Sequence, residues 1–136
     1  MDEALIDTDI LSEVLKARNA TVLDRAAQYL QEHGHFAFSA MTYYEILRGF
    51  RATRAVNQLS AFVAVAATSD VLPISLAVLD RAADLWAEAR SGGHPHNDAD
   101  LVIASTAVEY DRVLVSGNLP HFTWIEGLRV EDWRRP

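Results

Sequence analysis

The stretch that most constrains the fold is Ala4-Leu5-Ile6-Asp7-Thr8-Asp9-Ile10-Leu11. Three apolar residues run straight into an Asp-Thr-Asp triplet. A helical pattern follows at once, with Ile10, Leu11, Val14 and Leu15 on one face. So short an apolar run reads as a buried strand, and its last residues then stand at the edge of a core. A carboxylate there is costly unless it is paired or bound to a cation. The rest of the chain must supply whatever Asp7 and Asp9 face.

The same alternation continues to the end of the chain. Short apolar runs at 4–7, 35–38, 71–74 and 112–115 read as strands, with a last one at 128–130. Helical spacing over 10–18, 22–33, 53–67, 75–90 and 98–110, and in a helix opened by Ser39, fills the gaps. Gly34 sits where a helix C-terminus favours glycine, and Pro73 marks an edge strand or a strand end. Strands alternating with helices imply right-handed crossovers and a parallel sheet covered on both faces. The expected fold is α/β in three layers, α/β/α, around a short central parallel sheet of four to five strands. One domain, 1–136, accounts for the chain, with no internal repeat or linker.

Composition narrows the function classes. Half of the residues are hydrophobic, which excludes a disordered chain. There is no cysteine, so no disulfide framework and no thiolate chemistry. No basic-then-apolar leader is visible and no apolar run approaches the roughly 18 residues of a membrane span, so a cytoplasmic protein without membrane attachment is expected. The net charge of −7 disfavours a generic nucleic-acid binder. The charge is uneven, however. No acid lies between Glu45 and Asp70, and Arg48, Arg51 and Arg54 recur there at intervals of three. On a helix they form one basic stripe, either a solvated face or a strip that contacts phosphates.

In open parallel sheets, ligands sit outside the carboxyl ends of the strands. Asp7 and Asp9 follow the first strand, Glu45 lies early in the helix after the second, Asp98 and Asp100 begin a helix after the Gly/His loop, and Ser116 and Asn118 follow the fourth strand. Such a cluster repels itself unless protons or a hard cation neutralise it, and oxygen ligands of this kind suit Mg²⁺ or Mn²⁺. Each residue also fits a purely structural role. Asp7 or Asp9 can cap the first helix, Thr42 to Glu45 fits a capping box, Asp98 is a good N-cap and Asn118 is an ordinary turn residue. Thr8 and Ser116 hydroxyls are expected to tie loops, or to meet a metal through water. His94 and His96 alternate with Asp98 and Asp100, but the spacing is not that of a zinc site. His33 and His121 read as surface or packing residues.

With these residues placed, the sequence resembles the PIN-domain family, and within it the VapC-like toxins of type II toxin–antitoxin pairs. Leu5-Ile6-Asp7-Thr8-Asp9 is similar to the family's opening apolar-Asp-Thr-Asn strand. Ser39-Ala40-Met41-Thr42-Tyr43-Tyr44-Glu45-Ile46-Leu47-Arg48-Gly49 resembles its Ser-x-x-Thr-x-x-Glu-Leu-x-x-Gly helix. Asp100-Leu101-Val102-Ile103-Ala104-Ser105-Thr106-Ala107, Leu114-Val115-Ser116-Gly117-Asn118 and Gly127-Leu128-Arg129-Val130-Glu131-Asp132-Trp133 continue the likeness to the end. The resemblance implies a PIN-like fold and a Mg²⁺- or Mn²⁺-dependent endoribonuclease, usually dimeric and held inactive by a VapB-like antitoxin. It implies Asp7, Glu45 and Asp100 as metal-binding acids, with Asn118 at the fourth position and Asp9, Asp98, Thr8 and Ser116 around them. Asp9 stands where the family often has Asn, and Asn118 where it often has Asp. A haloacid-dehalogenase-like phosphatase also opens on Asp-x-Asp, but it expects Thr or Val at the place of Leu11 and a later lysine, and Lys16 is the only lysine. A catalytically weak PIN-fold binding module and a standalone RNA-processing nuclease are also compatible with these motifs.

Overall fold

The computed structural model describes all of residues 1–136. In chain order the elements are β1 (Ala4–Ile6), α1 (Thr8–Lys16), α2 (Ala20–His33), β2 (Ala37–Ser39), α3 (Ala40–Ala52), α4 (Val56–Ala67), β3 (Asp70–Leu72), α5 (Leu76–Gly92), α6 (Asp98–Glu109), β4 (Val113–Val115) and β5 (Val130–Glu131). A short 3-10 turn, Leu119–His121, follows β4.

The strands differ from their apolar runs by a residue or two at the ends: β1 stops at Ile6 because Asp7 already caps α1, whereas β2 begins only at Ala37 and runs through Ser39, which also caps α3. Asp7 has extended backbone (φ −71°, ψ 159°), and its carboxylate accepts from the N–H of Thr8, so it caps α1 directly. Ser39 does the same for α3, its hydroxyl accepting from the N–H of Met41. The expected capping box from Thr42 to Glu45 therefore does not form. Ser39 has already opened the helix, and Thr42 is buried within its first turn. Asn97, rather than Asp98, caps α6.

All strand pairs are parallel, as the alternation requires, but the single sheet expected from the sequence is divided. β1, β4 and β5 form one three-stranded ladder in the order β1-β4-β5, and β2 pairs only with β3. β2 lies beside β1 without a shared ladder. The layers follow from strand alternation. Ala4 and Ile6 of β1 and Val115 of β4 face a core built with α1, α2, α3 and α4, around Tyr29, Phe38, Phe62 and Trp133. Leu5 and Leu114 face the other way, into a core with α5, α6, Phe122 and Ile125. β3 is an exposed edge strand that stops before Pro73. No helix is long and apolar enough to cross a membrane.

Candidate functional site

The carboxyl ends of β1 and β4 stand side by side, with Ile6 opposite Val115. The residues that follow them meet at once. Asp7 is 5 % exposed, and its Oδ2 accepts from the Ser116 hydroxyl at 2.7 Å while Oδ1 accepts from the N–H of Thr8 at 2.8 Å. Those bonds favour the charged form, but burial opposes it more strongly, and the charges of Asp9 and Asp100 add to the opposition. The Asp7 carboxyl is pushed up to about 7. No arginine or lysine pairs with it.

Asp9 has a different job. Its Oδ1 accepts from the N–H of Ile10 and its Oδ2 from the N–H of Gly117 at 2.9 Å, which ties α1 to the loop after β4. Burial raises its pKa first. The Gly117 and Ile10 bonds and the Arg134 guanidinium pull it back. Arg134 donates to the carbonyl of Gly117 at 2.7 Å, so the C-terminal segment braces the same loop. A Cβ on Gly117 would stand 2.4 Å from the guanidinium carbon, so only glycine admits this contact unmoved.

Glu45 reaches the rim from α3. Its Oε1 accepts from the Thr8 hydroxyl at 2.8 Å, and that hydroxyl also lies 3.0 Å from the hydroxyl of Thr42. Thr8 thus orients Glu45 directly, with Thr42 behind it. Arg48 stands 3.8 Å from the second oxygen of Glu45 and over the Tyr44 ring, and Arg51 is exposed one turn on. Arg54 is not on the stripe, contrary to the spacing argument. The helix ends at Ala52, and Arg54 turns the chain with a left-handed φ of 54°. The basic strip therefore has two helical members. A surface hollow lined by Thr8, Ser12, Glu45, Gly49 and Phe50 opens beside Glu45.

Asp100 arrives from the first turn of α6. Its Oδ2 takes two N–H donors, Asn97 Nδ2 at 3.0 Å and His121 Nδ1 at 2.6 Å. Asn118 begins the 3-10 turn, and its N–H donates to the Ser116 hydroxyl. Asp98, in contrast, stands apart from this group. It lines a hollow between α5 and α6 with Leu79, Ala83 and Trp86. His94 stacks on Trp124 and His96 meets Trp86 edge-on, so neither is placed as a metal ligand with Asp98 and Asp100. His121, which the sequence pattern assigns to surface or packing, instead contacts a rim acid. No local spacing signals this contact, which joins residues 21 apart in the chain. Asn97, which does not stand at a strand end, is a second neighbour of Asp100, and Asn-x-x-Asp before an apolar run has the form of a reciprocal cap.

The donor set at the rim is thus all oxygen, three carboxylates and an amide, which matches the preference of a hard divalent cation. No three of these side chains are already drawn together as a ligand group.

A parallel α/β fold that brings acids from three separate segments, β1's end, α3 and α6, and an amide from a fourth to one rim defines the class: an α/β protein with an acidic site at the carboxyl rim of its sheet. The family model of the PIN domain matches residues 4–119, and the chain belongs to that family. It is 26 % identical to the tRNA(fMet)-specific endonuclease VapC of Shigella flexneri, covering 95 % of this chain and 96 % of that one. It is 25 % identical to the ribonuclease VapC1 of Haemophilus influenzae strain R2866, covering 96 % and 98 %. Among solved structures, DNA-bound VapBC from Salmonella typhimurium superposes with a TM-score of 0.84 at 23 % identity, over 98 % of this chain and 99 % of that chain. FitAcB from Neisseria gonorrhoeae gives 0.84 at 20 %, over the same shares.

Proposed function

We propose that this chain is a metal-dependent endoribonuclease, the toxin of a type II toxin–antitoxin pair. The observation that carries the reading is the Asp7 carboxylate. It is buried at a strand end, and its charge is opposed by burial and by two neighbouring acids, with no cationic side chain to offset them. Capping α1 needs only an uncharged acceptor for the Thr8 N–H, so the cap alone does not call for a carboxylate whose charge is opposed. Asp7, Glu45 and Asp100 hold Mg²⁺ or Mn²⁺ in this reading, with Asn118 at the fourth place. When bound, the cation lowers the pKa of a water and offsets charge developing on the phosphate.

The chain's own residues then have definite tasks. Ser116 and the Thr8 N–H fix both oxygens of Asp7, and the Thr8 hydroxyl fixes Glu45. Asp9 secures the loop that carries Asn118. Arg48 and Arg51 supply positive charge beside an acidic site, where flanking phosphates of an RNA strand pass, and Arg54 lies just beyond them. The names of the VapC relatives support the substrate class. The solved neighbours, complexes named VapBC and FitAcB, support a VapB-like antitoxin as the partner, and we extend the reading to a homodimer in the cytoplasm.

The competing reading, a catalytically silent PIN module, draws on one observation: no three acids are preassembled as ligands. RNA cleavage by the purified chain separates the two. Cleavage with Mn²⁺, stopped by EDTA and leaving 5′-phosphate and 3′-hydroxyl ends, is the expected result. No cleavage with either metal, or metal-independent cleavage leaving 2′,3′-cyclic phosphates, overturns the proposal.

A further inference from the structure

We propose that His121 is a positioning residue that fixes the rotation of the Asp100 carboxylate, so that Oδ2 is held by protein and Oδ1 alone is presented to the cation. This rests on the proposed role of Asp100. The Oδ2 atom receives His121 Nδ1 at 2.6 Å and Asn97 Nδ2 at 3.0 Å, two N–H donors on one oxygen. Asn97 alone already completes the helix cap, since its Oδ1 accepts from the N–H of Asp100 at 2.8 Å. The His121 bond is additional to capping, and it comes from a different element, the turn after β4. That turn is itself held. Trp124 Nε1 donates to the carbonyl of His121 at 2.8 Å, and the His94 ring stacks on Trp124 at 4.7 Å with the planes 4° apart. Phe122 and Ile125, on either side of Trp124, are buried in the second core. A rigid turn therefore presents the imidazole to Asp100, as partners behind metal ligands do when they set ligand orientation.

A merely structural tie between the turn and α6 would change stability and leave metal affinity alone. Calorimetric titration of the metal-free full chain with Mn²⁺ distinguishes the two. His121→Ala is expected to weaken Mn²⁺ binding by about 10- to 100-fold. His121→Asn, whose amide N–H can stand where Nδ1 stood, is expected to recover most of that loss, and His121→Gln is not. Nitrogen NMR of the wild-type ring is expected to show the proton on Nδ1. Unchanged Mn²⁺ affinity in His121→Ala, no difference between His121→Asn and His121→Ala, or a proton found only on Nε2 overturns the inference. Asp100→Asn binding Mn²⁺ as tightly as the wild type overturns the role of Asp100 itself, and the inference with it. A wild-type chain that cleaves RNA and loses Mn²⁺ affinity only in Asp100→Asn leaves the function standing and sinks His121.

Discussion

Asp7 is held in place against its own electrostatics, and that has a consequence for stability. Its carboxyl has an ordinary value of 3.8 and is pushed up to about 7 in the folded chain. The folded state therefore binds this proton more tightly than the unfolded state does. The stability the group contributes is fully present below about pH 4 and is lost as pH rises through 7. In metal-free protein the loss amounts to about 4 kcal/mol. Asp7→Asn keeps an acceptor for the Thr8 N–H and removes the charge. In EDTA at pH 8 it is expected to be more stable than the wild type by that margin, and the difference should vanish near pH 4. Urea unfolding at both pH values measures it, and equal midpoints at pH 8 would contradict the account. Asp7, Glu45 and Asp100 are legible as rim residues because each follows a strand or lies near the start of a helix, which local pattern reveals. The bond from His121 to Asp100 is not, because it crosses 21 residues and depends on where a turn packs. Arg54 escapes the spacing argument because helical periodicity carries no information about the left-handed residue that follows the helix end.

Among the elements, the buried end of β1 depends on α2. The N–H of Ala4, at the first position of the strand, donates to the Tyr29 hydroxyl at 2.9 Å, and both residues are almost wholly buried. Tyr29→Phe leaves that N–H without a partner and is expected to cost about 1 to 3 kcal/mol. It acts at the end of β1 away from Asp7, so RNA cleavage at temperatures well below unfolding should be unchanged. Thermal unfolding alongside a cleavage assay checks both halves, and a loss of activity without a loss of stability would contradict the assignment. The order and type of the elements follow from periodicity, since strands of three residues between long amphipathic helices leave few arrangements. Their boundaries do not. Asp7 and Ser39 each stand at a strand end and cap a helix, so no loop residues separate the two patterns. The division of the sheet is equally hidden, because apolar runs show that strands exist and say nothing of whether β1 and β2 share a ladder.

At the scale of the molecule, two cores on opposite faces of the strands fix the carboxyl rim from both sides. The first core carries α1 and α3, which deliver Thr8 and Glu45. The second carries α6 and the turn after β4, which deliver Asp100 and His121. The acids are thus brought to one rim by the two halves of the hydrophobic core, in a chain whose net charge of −7 already disfavours gathering them. In the proposed reading, that electrostatic cost is what the metal site demands of the fold. The most direct test follows RNA cleavage in Mn²⁺ by Asp7→Asn, with unfolding measured on the same sample. The account predicts that cleavage falls by at least about 100-fold, a loss of about 2.7 kcal/mol in transition-state stabilisation, while the variant stays folded and is the more stable of the two at pH 8 without metal. Cleavage undiminished in a folded Asp7→Asn chain would contradict it.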